Sequence, residues 1–82
     1  MEHDDLRGRA RTLLEQGRLP RAHPTRSFAG RGTGAACDLC DDRIPASQTE
    51  VEIDTTDRTL VLHRPCAVVW SEERSWYDWR WE

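Results

Sequence analysis

Apolar positions recur along this chain with different periods, and each period marks a different element. Leu6, Ala10, Leu13 and Leu14 fall on one face at helical spacing, Asp4 or Asp5 supplies an N-cap, and Gly17 stands where a C′ glycine closes a helix. Leu19-Pro20 ends that segment, so residues 1–20 are predicted to hold a short amphipathic helix. Further along, Glu50-Val51-Glu52-Ile53-Asp54 alternates polar and apolar, Thr55 to Arg58 has turn composition, and Thr59 to Leu62 resumes as a β-rich run. That pattern is a hairpin, with Val51 and Ile53 facing a core and joined there by Leu60 or Leu62. Pro65 suits a first helical turn, and Cys66 through Arg74 reads as the body of that helix, with Val69 and Trp70 inward.

Two stretches have neither period. Pro20, Pro24, Gly30, Gly32 and Gly34 punctuate residues 21–34 too often for a helix or a central strand, so this segment reads as a Gly/Pro/Arg-rich linker with Phe28 as its large apolar anchor. Its glycine run lacks the Lys-Ser/Thr of a phosphate-binding loop and instead gives the backbone freedom for a tight approach to the cysteine-bearing segment after it. At the other end, Trp76, Tyr77, Trp79 and Trp81 put four aromatics into six residues. Tyr77, Trp79 and Trp81 alternate with Asp78 and Arg80 as in an extended strand, while Trp70 and Trp76 are placed to cover the core from the last helix. An aromatic tail over residues 76–82 either folds back on the core or docks on another protein, since tryptophan concentrates at interface hot spots.

The candidate chemistry sits between these stretches. Cys37 and Cys40 form C-x2-C, and after 22 intervening residues His63 and Cys66 form H-x2-C, which accounts for every cysteine in the chain. Two-residue spacings let side chains converge on one tetrahedral ion, and a Cys3His set suits zinc, one ion per chain. Cys66 on a first helical turn gains from the positive end of the helix dipole, which favours its thiolate. Four protein ligands close the shell, whereas catalytic zinc keeps a position open for water, so the expected role is structural and not enzymatic. A redox dithiol of Cys37 and Cys40 is the alternative without metal, and a thiol redox sensor its function. His3 and His23 read as solvated, and Ser71 and Ser75 lack the partners of a nucleophile.

Knuckle, hairpin, then a helix that donates the last ligand is the order of a treble-clef zinc finger, and the ligand set resembles the first zinc module of a LIM domain. A LIM domain continues into a second four-ligand module, while no cysteine or histidine lies beyond Cys66 here. Gly32-Thr33-Gly34 before Cys37-Asp38-Leu39-Cys40, then Ile44, Leu62-His63-Arg64-Pro65-Cys66 and Trp70, is similar to small uncharacterised bacterial zinc-binding proteins with a single such site, over about residues 10–74. The resemblance implies a small α+β, treble-clef-like zinc-finger module over residues 35–75, preceded by the N-terminal helix, and it carries no established activity.

Size and charge bear on stability and partners. An 82-residue chain that is 33% charged builds one small core, and metal binding coupled to folding supplements it. No long apolar stretch or signal-peptide core is present, and an odd cysteine count fits reduced thiols, so a cytoplasmic protein with no membrane partner and no small-molecule substrate is expected. All twelve basic residues are arginine, a usage that fits a G+C-rich bacterial genome. Seven arginines against four acids precede Ala35, and five against eleven lie from there onward. Arg7, Arg9, Arg11 and Arg18 read as the solvated face of the first helix. Arg7, Arg9, Arg11 and Arg31 are the candidates for an alternative function, phosphate contact by a nucleic-acid-binding regulator. The acidic zinc module argues for a protein partner and an adaptor or regulatory role.

Overall fold

Two helices and a three-stranded antiparallel sheet arise from these patterns, in the order α1 (His3–Glu15), β1 (Pro24–Arg31), β2 (Thr49–Thr55), β3 (Thr59–His63) and α2 (Arg64–Trp79); the computed structural model describes residues 3–79. The apolar stripe of α1 is buried at Leu6, Ala10, Leu13 and Leu14. Asp4 and Asp5 stand inside its first turn and not at the cap, because the helix begins at His3. Gly17, at φ 74°, ends α1: its N–H reaches the Leu14 carbonyl and the Arg18 N–H reaches that of Leu13, the paired bonds of a Schellman motif.

The sheet order is β1-β2-β3. In the hairpin Val51 faces Leu62 and Ile53 faces Leu60, so one face of β2 and β3 carries a continuous apolar surface. Leu60, Leu62 and Ile53 are buried, and Val51 is half-buried against them. Helix α2 lies on that surface and on α1, and its Val69 and Trp70 fill the space between. The Trp70 indole N–H donates to the Pro20 carbonyl at 3.1 Å, and the buried Arg74 donates to the Arg21 carbonyl at 3.1 Å and to Asp78 at 2.7 Å. The chain leaving α1 is thereby fixed across the middle of α2.

Two expectations give way here. Residues 24–31, expected within a linker, form an edge strand; Pro24 is admitted because it stands first in the strand, and Phe28, far from anchoring a core, is 49% exposed. The aromatic tail is not an extended strand through Tyr77, because α2 continues to Trp79. Tyr77 is half-buried with the Arg21 guanidinium 4.2 Å from its ring centre, whereas Trp76 turns outward at 57% exposure instead of covering the core.

The arginines of α1 keep contact with solvent, Arg11 and Arg18 exposed and Arg7 and Arg9 half-buried, yet three of them also reach groups elsewhere in the chain. Arg7 pairs with Glu72 and Glu73 at 2.5 and 2.9 Å, and Arg11 pairs with Glu73 at 2.6 Å. Glu73 is 3% exposed, and burial opposes its charge, but the hydrogen bonds from Arg11 and Arg7 outweigh that penalty and lower its pKa below the usual carboxylate value. A depressed carboxyl pKa stabilises the fold above the unfolded value, about 4.3, and loses that contribution as pH falls through the folded one. Because both arginines reach solvent, Glu73→Gln is expected to cost about 1–2 kcal/mol at pH 7. In denaturant titrations the difference from wild type should shrink as pH falls below about 4.3 and vanish once the pH lies under the depressed folded-state value. A cost that stays constant with pH would separate Glu73 from this role.

Gly32 supplies a second prediction. A Cβ there would lie 2.1 Å from the Pro45 carbonyl oxygen, so the backbone of this residue is pressed against residues 44–45, while nothing stands within 4 Å of a Cβ at Gly30. Gly32→Ala is expected to destabilise by about 3 kcal/mol. Gly30→Ala should stay within about 0.5 kcal/mol of wild type in the same denaturant series.

Candidate metal centre

The four residues of the cysteine–histidine pattern come together from three elements. Cys37 and Cys40 lie in the turn between β1 and β2, His63 ends β3, and Cys66 sits in the first turn of α2. One ligand atom from each, three sulfurs and a ring nitrogen, lie within 4.8 Å of one another, a cluster that can hold a metal ion. Cys37 and Cys66 are buried, while Cys40 and His63 are half-buried on the side of a cleft of about 480 Å³ that Ser47, Gln48, Thr49 and Arg64 help to line.

Backbone bonds build the turn. The Cys37 N–H donates to the Asp42 carbonyl, the Asp41 N–H donates to the Cys37 carbonyl, and Ala36 bridges to Arg43. Asp41 takes a left-handed conformation at φ 70°, which aspartate tolerates better than most residues. Its carboxylate meets Arg9 at 2.6 Å, and the Arg9 Nε also donates to the Leu39 carbonyl, so α1 grips the turn from outside. Inside, Leu39 is fully buried between the two cysteines.

The turn is also joined to the sheet. Asp38 donates its N–H to the Val61 carbonyl and accepts the Val61 N–H on its carboxylate, each at 2.8 Å, and the His63 N–H points at the Cys37 sulfur at 3.4 Å. These are the backbone groups of β3 that face away from β2, so residues 37–38 occupy the place of a fourth strand. The knuckle spacing anticipates N–H groups around the sulfurs. Nothing in the pattern of residues marks the Asp38 carboxylate as a strand partner.

Ring orientation is set by one further contact. His63 Nε2 lies 3.2 Å from the Arg43 carbonyl, which can only accept, so the Nε2 position carries the proton and Nδ1 is left with its lone pair. That lone pair is 3.4 Å from the Cys40 sulfur, inside the cluster. A backbone carbonyl behind the ring is the usual way a metal-bound histidine is held in one tautomer.

The sulfurs cannot all ionise unaided. A hydrogen bond from the Cys66 thiol stabilises the Cys37 thiolate, burial opposes it, and N–H groups of Cys40, His63 and Leu39 add to it, which draws the Cys37 pKa down to about 4. The same hydrogen bond, with burial behind it, pushes the Cys66 thiol far up, and burial raises Cys40. One negative charge satisfies the cluster and resists a second. Only a cation among them lets all three sulfurs serve as thiolates.

The remaining candidate residues lie away from the cluster. Arg7, Arg9 and Arg11 face acids or a carbonyl of the same chain, whereas Arg31 ends the exposed strand β1. Trp76 and Tyr77 lie on α2, Trp79 is its last residue, and Trp81 lies outside the described residues. No protein-family model, curated protein or solved structure matches the chain. Among the described residues no helix is long and apolar enough to cross a membrane.

Cys40→Ala is expected to abolish stoichiometric metal binding and to unfold the hairpin and α2 together, read by metal analysis and by loss of tertiary circular dichroism. A variant that keeps its fold without metal would show that the apolar core suffices alone.

Proposed function

We propose that the chain is a treble-clef-like module built around one structural Zn2+ held by Cys37, Cys40, His63 and Cys66, and that it works without catalysis as a protein-interaction or regulatory adaptor in the cytoplasm. The observation that carries the metal reading is the His63 ring, fixed by the Arg43 carbonyl so that Nδ1 faces three sulfurs. The 3.4 Å between Cys40 Sγ and His63 Nδ1 agrees with the edge of about 3.5 Å expected of a tetrahedral site with zinc bonds of about 2.3 Å to sulfur and 2.0 Å to nitrogen. Three soft sulfurs and an imidazole favour zinc over the hard cations. Bound there, the ion would neutralise the thiolates and tie turn, hairpin and helix into one unit.

Four protein ligands close such a shell to water, which supports a structural role. The interaction reading rests on α2, where Val68 and Trp76 are 49% and 57% exposed in a chain with little apolar surface to spare. The engagement of Arg7, Arg9 and Arg11 with acids weighs against their use on phosphate.

A native mass spectrum of the reduced protein tests the first part: one zinc per chain and no disulfide is the expected result, and a metal-free chain with a Cys37–Cys40 disulfide would overturn it in favour of redox chemistry. The second part is tested with a photo-crosslinker at position 76 in cells. Discrete protein adducts that Trp81→Ala weakens, with zinc content unchanged, are expected. Salt-sensitive binding to nucleic acid that is lost on replacing Arg7, Arg9, Arg11 and Arg31 would overturn it.

A further inference from the structure

The two edges of the sheet are treated differently. Along β3 the outward backbone groups are taken by Asp38 and Cys37. Among the described residues strand β1 packs on neither helix and pairs only with β2, and all eight of its residues are exposed. The Gly32 N–H donates to the Gln48 carbonyl, so in the alternation of an antiparallel ladder residues 26, 28 and 30 bond to β2, while Ser27, Ala29 and Arg31 turn their N–H and C=O groups outward. Pro24 and an irregular register before Arg26 block the start of the strand, and neither device protects residues 27–31.

From this we infer that β1 is a self-association edge, on which a second copy of the chain pairs antiparallel through its own β1 about a two-fold axis at Phe28. With that axis Ser27 and Ala29 of one copy exchange backbone bonds with Ala29 and Ser27 of the other, within the regular part of the strand. Phe28 meets its equivalent as a non-hydrogen-bonded pair, the arrangement in which side chains approach most closely. Arg26, which already lies 5.1 Å from the Phe28 ring centre and opposite Asp54, falls opposite Gly30 of the second copy, and Arg31 falls opposite Thr25. No like charges face each other, although β1 carries two arginines and no acid. The product is a six-stranded sheet that ends in a capped β3 on both sides, so assembly stops at two chains.

So short an edge makes a small interface, and association is therefore concentration-dependent. Sedimentation equilibrium of the zinc-loaded full chain should show a mass rising from one chain toward two between about 10 µM and about 1 mM. Ala29→Pro removes an outward N–H and leaves the β2 ladder intact; it should keep metal content and circular dichroism and remain a single chain. Phe28→Lys places like charges at the axis and should also remain single, and mixing it with Phe28→Asp should restore the two-chain mass. A wild-type mass of one chain at every concentration overturns the inference, as does growth beyond two chains. A dimer that survives both Ala29→Pro and Phe28→Lys also overturns it, since it would use another surface.

Discussion

The contact on which the rest of the molecule depends is the one between residues 37–38 and the outer edge of β3. It puts the first cysteine and His63 beside each other by backbone geometry, because the N–H of His63 is aimed at the Cys37 sulfur and the N–H of Asp38 at the Val61 carbonyl. Once that register is set, Cys40 is placed by the tight turn and Cys66 by the helix that begins directly after β3. The cysteine–histidine cluster is thus assembled by strand-like pairing between segments more than twenty residues apart in sequence, not by side chains searching for one another. A metal ion held there would lock what the pairing has aligned.

Charge serves the same end from the opposite side. The imbalance visible in the chain, arginine-rich before residue 35 and acidic after it, is resolved within the fold, because α1 presents its arginines to Glu72 and Glu73 of α2 and to Asp41 of the turn. An exposed ion pair contributes little. Here one carboxylate is buried and shared by two arginines, and Arg9 binds the turn through both a carboxylate and a carbonyl, so the helix is oriented as well as attached. The N-terminal helix is in this way coupled to the turn that carries Cys37 and Cys40.

Much of this was legible in the residues. Periodicity located both helices and the hairpin, Gly17 ended α1 where it was expected, and the spacing of Cys37, Cys40, His63 and Cys66 named the four side chains that converge. What was not legible had physical reasons. Strand β1 has no apolar alternation because neither face of it enters the core, so its composition is that of a loop although its backbone is paired. The alternation of Tyr77 with charged neighbours imitates a strand, but α2 runs through it. Helix geometry separates Trp76 from Tyr77 by about 100°, one toward solvent and one toward Arg21. The pairing of Arg7 and Arg11 with Glu72 and Glu73 required knowledge of which helix α1 packs against, which no local pattern contains.

Helix α2 is held by polar groups at its start and along its middle: Cys66 in its first turn belongs to the cysteine–histidine cluster, and further along Trp70 and Arg74 are hydrogen-bonded to the carbonyls of Pro20 and Arg21. Such directional contacts fix the axis of the helix independently of the volumes packed beneath it. The apolar residues under α2 are consequently free to drift among aliphatic side chains over evolutionary time, since a change of a methyl group is absorbed by rotamers and not by swinging the helix. Variation within this fold should therefore accumulate in its grease and spare its pins.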